Sequence, residues 1–226
     1  MENNNIPVPK MYIKIVSLDK DGNQIDGFDK RESHSWVRNG YMFMLGWFCM
    51  CNTYDTSFGA GYNSFKDTGG SIRNSANVRS PRCSGDLRDA SPPVAQGVRA
   101  SANDDSRGIF VGTSTAVESF EHYKLTTPIA HGVGAGQLSY QEHRANTKAW
   151  DAGTLIFTLV FQRYFNNSSG NTIVVNECGI ALKAGVATTT DNKSYMLGRD
   201  VLDTGVSVVN SGQLIVDYYF EMQFPE

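Results

Sequence analysis

A carboxylate inside an apolar run is the first residue in this chain whose type and place suggest chemistry. Glu177 follows Ile173, Val174 and Val175 and precedes Cys178 and Ile180. A strand of that composition is buried, and a buried acid needs a partner. Arg199 or Arg163 is expected to supply it. The pair is read as a structural ion pair in the sheet rather than as a catalytic acid. Asp104-Asp105 is a pair of adjacent carboxylates, and its surroundings predict solvation.

Other chemistries fail on spacing. Asp19-x-Asp21-x-Asn23 begins like a calcium loop, but the sixth position is Gln24 where glycine makes the sharp turn. The twelfth is Lys30 where a bidentate glutamate closes the site. The segment is read instead as a hairpin turn. No Gly-x-Ser-x-Gly elbow occurs; Gly112-Thr113-Ser114-Thr115-Ala116 lacks the last glycine. His34, His122, His131 and His143 are scattered, and none belongs to a His-Glu-x-x-His helix. They are read as surface or satisfied core histidines. Gly132-Val133-Gly134-Ala135-Gly136 lacks the Lys-Ser/Thr of a phosphate loop and reads as a turn before a strand at Gln137. Cys49, Cys51, Cys83 and Cys178 have no zinc spacing and are expected to be buried thiols. Neither a metal nor a cofactor is expected. Tyr123, Tyr140, Trp150, Tyr164 and Tyr219 offer rings for sugar stacking or, more ordinarily in a sandwich, for the core or an interface. The glycosylation-like triplets at Asn167 and Asn192 read as polar turns.

The elements that carry these residues are mostly strands. Met11–Ser17 alternates, with Met11, Ile13 and Ile15 on one face and Tyr12, Lys14 and Val16 on the other. A short partner strand is expected at Gln24–Phe28. Leu155–Phe165 places Leu155, Phe157, Leu159, Phe161 and Phe165 together. Thr172–Leu182, Tyr195–Leu202 and Val206–Val209 follow. In Gln213–Phe224, Leu214, Val216, Tyr218, Phe220 and Met222 share a face. Short strands at Ile109–Val111 and Gln137–Gln141 complete the set. Trp36–Cys51 is apolar nearly all round and predicts a short buried helix near residues 35–51, where Gly40 and Gly46 allow close approach to a sheet. It is too short to span a bilayer. The fold class is therefore mainly β, an antiparallel, jelly-roll-like β-sandwich in one domain over residues 1–226.

Residues 52–107 break this regularity. They are rich in Gly, Ser, Asn and Asp, include Ser91-Pro92-Pro93, and exceed an ordinary loop. They are read as a long irregular insert or arm. Arg73, Arg79, Arg82, Arg88, Arg99 and Arg107 are its candidate interface residues. With 226 residues the chain buries enough surface to fold without disulfide or metal. Only 19% of residues are charged and the net charge is -3. That balance disfavours direct nucleic-acid binding and lowers the repulsion between copies. Met1–Asn5 has no basic or apolar leader character, so synthesis in the cytosol is expected and a membrane partner is not.

Several ordered segments resemble tailed-bacteriophage virion proteins. They are Ser35-Trp-Val-Arg-Asn39, Gly108-Ile-Phe-Val-Gly-Thr113, Tyr123-Lys-Leu-Thr-Thr-Pro-Ile129 and Phe165-Asn-Asn-Ser-Ser-Gly-Asn-Thr-Ile-Val-Val-Asn-Glu-Cys-Gly-Ile180. Leu197-Gly-Arg-Asp-Val-Leu202 and Ser211-Gly-Gln-Leu-Ile-Val-Asp-Tyr218 continue the series. The resemblance spans residues 33–50 and 108–222; the stretch 52–107 departs from it. It implies a non-enzymatic structural β-sandwich on the virion, made in the host cytoplasm. A capsid decoration or auxiliary protein is expected, partnered by copies of itself and by major capsid or tail proteins. A tail, neck or fibre component that binds a receptor or glycan is the alternative. A hydrolase on a jelly-roll scaffold is a third reading, and it needs histidines and carboxylates to converge.

Overall fold

The computed structural model describes residues 9–33, 36–49, 64–74, 97–185 and 192–224. Along these run β1 (Lys10–Leu18), β2 (Gln24–Glu32), α1 (Arg38–Cys49), β3 (Ser64–Lys66), β4 (Ile72–Asn74) and β5 (Gly108–Gly112). Then come β6 (Ser139–Tyr140), β7 (Thr147–Asp151), β8 (Ile156–Asn166), β9 (Ile173–Gly185), β10 (Asn192–Val208) and β11 (Gln213–Gln223). The larger sheet has the order β2-β1-β11-β8, and both β6 and β7 pair with the far edge of β8. The smaller sheet is β10-β9-β5, and β3-β4 is a separate hairpin. All strand pairs are antiparallel. The protein is thus mainly β, with the two sheets packed against each other in a sandwich-like arrangement of unequal layers.

Side-chain alternation explains the packing. In β1, Met11, Ile13 and Ile15 are buried while Tyr12, Lys14 and Val16 lie outward and half-buried. Register then builds rows across the inner face of the larger sheet. Ile13 faces Tyr218, which faces Phe161; Ser17 faces Leu214, which faces Phe165 and then Tyr140. A one-residue slip would turn every one of these groups to solvent. Between those rows, Ile15 and Val216 align with Arg163. A charged residue therefore occupies the buried face between Phe161 and Phe165, where the apolar alternation alone predicts none. Leu155 lies before the strand in a left-handed conformation, φ 54°, rather than on that face.

The sheets are also joined by polar bonds. Tyr218 and Ser33 both donate to Asp200 Oδ2 at 2.9 Å. Ser17 Oγ donates to the Ser207 carbonyl at 2.7 Å, and the Ser207 amide donates to Asp26 at 2.7 Å.

The Asp19 segment is a hairpin turn. Its carboxylate accepts from the amides of Asp21 and Asn23, both at 2.9 Å, and the Asn23 bonds hold its pKa below the usual carboxylate value. Gly27 in β2, at φ 114°, lies so close to the Ile15 carbonyl that a Cβ would collide with it.

Helix α1, Arg38–Cys49, falls within the stretch near residues 35–51 where a helix was expected. Gly40 meets the Leu197 carbonyl, so the helix does lie close against β10. Asn39 donates to the Lys66 carbonyl at 2.8 Å and accepts from the Lys66 amide at 3.1 Å, tying β3 to the helix. Phe43, Phe65 and Tyr195 pack as three rings with centroids 4.6–5.8 Å apart. The stretch 52–107 is not irregular throughout: β3 and β4 lie within it, and residues 97–107 join the body of the sandwich. Residues 75–96 lie outside the described residues. Tyr195–Leu202 and Val206–Val209 form one strand, β10, with a register shift between Val201 and Val206.

Candidate interaction surface

Glu177 on β9 and Arg199 on β10 lie diagonally across the pairing of the smaller sheet. Arg199 Nε donates to Glu177 Oε2 at 2.8 Å, and both side chains are fully buried. Of the two arginines considered for Glu177, the structure places Arg199 beside it. The remaining valences go to the segment 113–128. Glu177 accepts from the amides of Thr126 at 3.2 Å and Thr127 at 2.8 Å. Arg199 donates to the Ala116 carbonyl at 3.0 Å, and its other nitrogen faces His122 Nδ1 at 3.2 Å. Desolvation, and next the neighbouring Arg199 charge, lower the His122 pKa. Its Nδ1 also accepts from the Ser119 amide at 3.0 Å. Gly112 lies against Glu177 and the Thr127 carbonyl, leaving no room for a Cβ. The cluster brings an acid, a base and a cation together, yet each named atom binds a structural group. Its effect is to clamp a long segment onto the sheet.

Arg163 forms a second network. All five of its N–H donors reach backbone carbonyls: Gln141 at 2.8 Å, Arg107 and Ile109 at 3.1 Å, Ser101 at 3.2 Å and Asp104 at 2.6 Å. Burial lowers its pKa to about 10. His143 is buried beside it and accepts the Ile109 amide through Nε2 at 2.9 Å. Burial, then the Arg163, Arg107 and Arg99 charges, push the His143 pKa well down, so the ring stays neutral with its proton on Nδ1.

Of the six candidate interface arginines, the structure describes the side chains of Arg99 and Arg107. Arg107 is buried in its own chain, 3% exposed, and bonds Asp104 at 3.1 Å. It is thereby removed from the set of groups open to a partner. Arg99 is partly exposed and pairs with Glu142 at 2.8 Å. Arg73 lies on β4, and its side chain is outside the described residues, as are Arg79, Arg82 and Arg88. Among the thiols, Cys178 is free and buried, and burial raises its pKa well above the usual value.

A polar groove of about 430 Å³ lies where three turns meet, lined by Leu18, Asp19, Lys20, Asn167, Ser211 and Gln213. Its floor is self-satisfied: the Asn167 amide donates to Asn171 at 2.8 Å and Val208 at 2.7 Å.

The most distinctive surface is an overhang of the larger sheet. The row Trp150–Phe157–Met222 continues the inner face beyond the buried rows. There Trp150 is 52% exposed, Phe157 37% and Phe224 46%, and the Trp150 and Phe224 rings meet at 5.5 Å. All five residues of β7 are exposed. These rings thus carry the apolar inner face out to solvent.

Among the described residues no group of three or more histidine, cysteine or carboxylate side chains is placed to hold a metal, and no helix is long and apolar enough to cross a membrane. Comparison of the chain with family models, curated proteins and solved structures gave no significant match.

Proposed function

We propose that this chain is a non-enzymatic structural protein of a phage particle, acting through subunit packing as a capsid-associated decoration or auxiliary protein. The observation that carries the assembly part is the overhang of Trp150, Phe157 and Phe224, an apolar sheet face continuous with the core yet open to solvent. The resemblance of residues 33–50 and 108–222 to virion proteins supplies the particle. The two buried arginine networks support the same reading, because they clamp loops onto the sheets and so present a rigid body for packing.

The exposed Trp150–Phe224 ring pair also favours a second reading, a tail, neck or fibre component that stacks a glycan on those rings. A cryo-EM reconstruction of purified particles of the encoding phage tests both. Density at regular capsid positions supports decoration. Density confined to the tail or neck supports the second reading. Absence from the particles overturns the proposal.

A further inference from the structure

Sheet edges in this protein are treated unequally. The outer edge of β10 is engaged by Val37, whose amide donates to Leu197, and by Thr68, whose amide donates to Ser194. The outer edge of β5 is met by Thr127 and Ile129. β2 is an outer strand, but it carries Asp26, Asp29, Lys30, Arg31 and Glu32 and pairs through two register shifts, both of which discourage a further strand. β7 has no such backbone engagement among the described residues and no register shift against β8. It pairs with β8 over its whole length, and no strand among the described residues pairs with its other edge. Its sequence, Thr-Lys-Ala-Trp-Asp, has one charge of each sign.

We propose that two copies of this chain pair through β7, antiparallel about a two-fold axis at Ala149, so that the larger sheet runs from one copy into the other. Facing and alternation select this register. A two-fold axis normal to the sheet keeps both inner faces on the same side, so opposed residues must share parity. Centring on Ala149 is the choice that overlaps all five residues. It sets Lys148 of each copy opposite Trp150 of the other, an ammonium beside an indole, twice, on the inner face. Thr147 opposes Asp151 on the outer face, a hydroxyl donor against a carboxylate. No like charges meet directly. The residue on the axis is the smallest of the five, so the strands approach without side-chain conflict. The pairing also unites the two overhangs of Trp150, Phe157 and Phe224 on one side. A strand edge, a charge pattern and an apolar patch are thus all satisfied by one operation of symmetry.

The inference takes from the proposed function only that the overhang is a packing surface; it does not require a phage particle. The test uses the full chain and sedimentation velocity across a concentration series. The chain is expected to form dimers at or below about 100 µM, a concentration typical of weak specific contacts. Ala149→Glu places two carboxylates against each other at the axis, as Ala149→Lys does two ammonium groups. Each variant alone should weaken the dimer at least tenfold, roughly the effect of one like-charge contact. An equimolar mixture of the two should restore it. Ala149 is exposed in the single copy, so circular dichroism and melting of both variants should match the parent. A parent chain that stays monomeric overturns the inference, as does a mixture of the Ala149→Glu and Ala149→Lys variants that associates no more tightly than either variant alone. A monomer nevertheless found in particles leaves the virion reading standing without β7 pairing. Dimers of a chain absent from particles do the reverse.

Discussion

Replacing Arg199 with methionine tests whether the buried ion network holds the smaller sheet to the segment 113–128. Methionine matches much of the arginine stem but removes every donor. Glu177 then keeps only the Thr126 and Thr127 amides, and the Ala116 carbonyl loses its partner. Leaving one member of a fully buried pair uncompensated costs about 3–5 kcal/mol. For a chain of this length each kcal/mol moves Tm by about 2–4 °C, so a fall of about 6–20 °C is expected. The double variant Glu177→Leu with Arg199→Met removes both charges. Thr126 and Thr127 are exposed, so water takes over as acceptor for their amides. The double variant should therefore recover at least about 1 kcal/mol relative to the worse single variant, as expected for residues in one network. Urea unfolding followed by tryptophan fluorescence gives both numbers. Arg199→Met within about 1 kcal/mol of the parent would refute the reasoning, because the pair would then not be bearing a desolvated charge.

Two further predictions concern pH. His143 is neutral and buried, with a folded pKa well below 6.5, so below pH 6.5 the unfolded chain takes up a proton that the folded chain refuses. Stability should fall with decreasing pH by up to about 1.4 kcal/mol per unit. His143→Gln retains an acceptor for the Ile109 amide and should flatten that slope between pH 7 and pH 5; an unchanged slope in urea titrations assigns it elsewhere, for instance to His122. Asp217 has the opposite sign. Burial raises its pKa above 3.8, outweighing the hydrogen bonds from Gln162 and Tyr219 and the Lys14 charge, so its charged form opposes folding. Asp217→Asn should stabilise the protein at pH 7, with the gain shrinking as the pH approaches 3, and a loss of stability at pH 7 would contradict this.

Much of the larger sheet was legible because its inner face is built from period-two runs. Met11 to Ile15 and Leu214 to Phe220 declare their buried sides, and the Asp19 turn declares itself through side-chain acceptors. Arg163 could not be placed in that way. Its partners are five carbonyls from segments near 101–109 and 141, and carbonyls leave no mark on residue type. β7 was also missed. Its residues are all exposed, so no alternation identifies it; the ladder to β8 alone makes it a strand. Trp150 stood out as an aromatic, but its place on an open edge depends on how far the second sheet extends. Glu177 was conspicuous as a polar residue in an apolar run, whereas the clamp it forms on Thr126 and Thr127 is a property of tertiary approach.

The place of β1 has a consequence for synthesis. β1 lies between β2 and β11, with Lys10 opposite Glu221. On a ribosome adding about 5–20 residues per second, β11 emerges roughly 10–40 s after the first hairpin. For that interval Met11, Ile13 and Ile15 have no second neighbour in the sheet, and the hairpin alone is too small to be stable. The nascent hairpin therefore carries an unpaired apolar edge until β11 arrives. The rows across β1, β11 and β8 can be completed only once β11 has entered between β1 and β8.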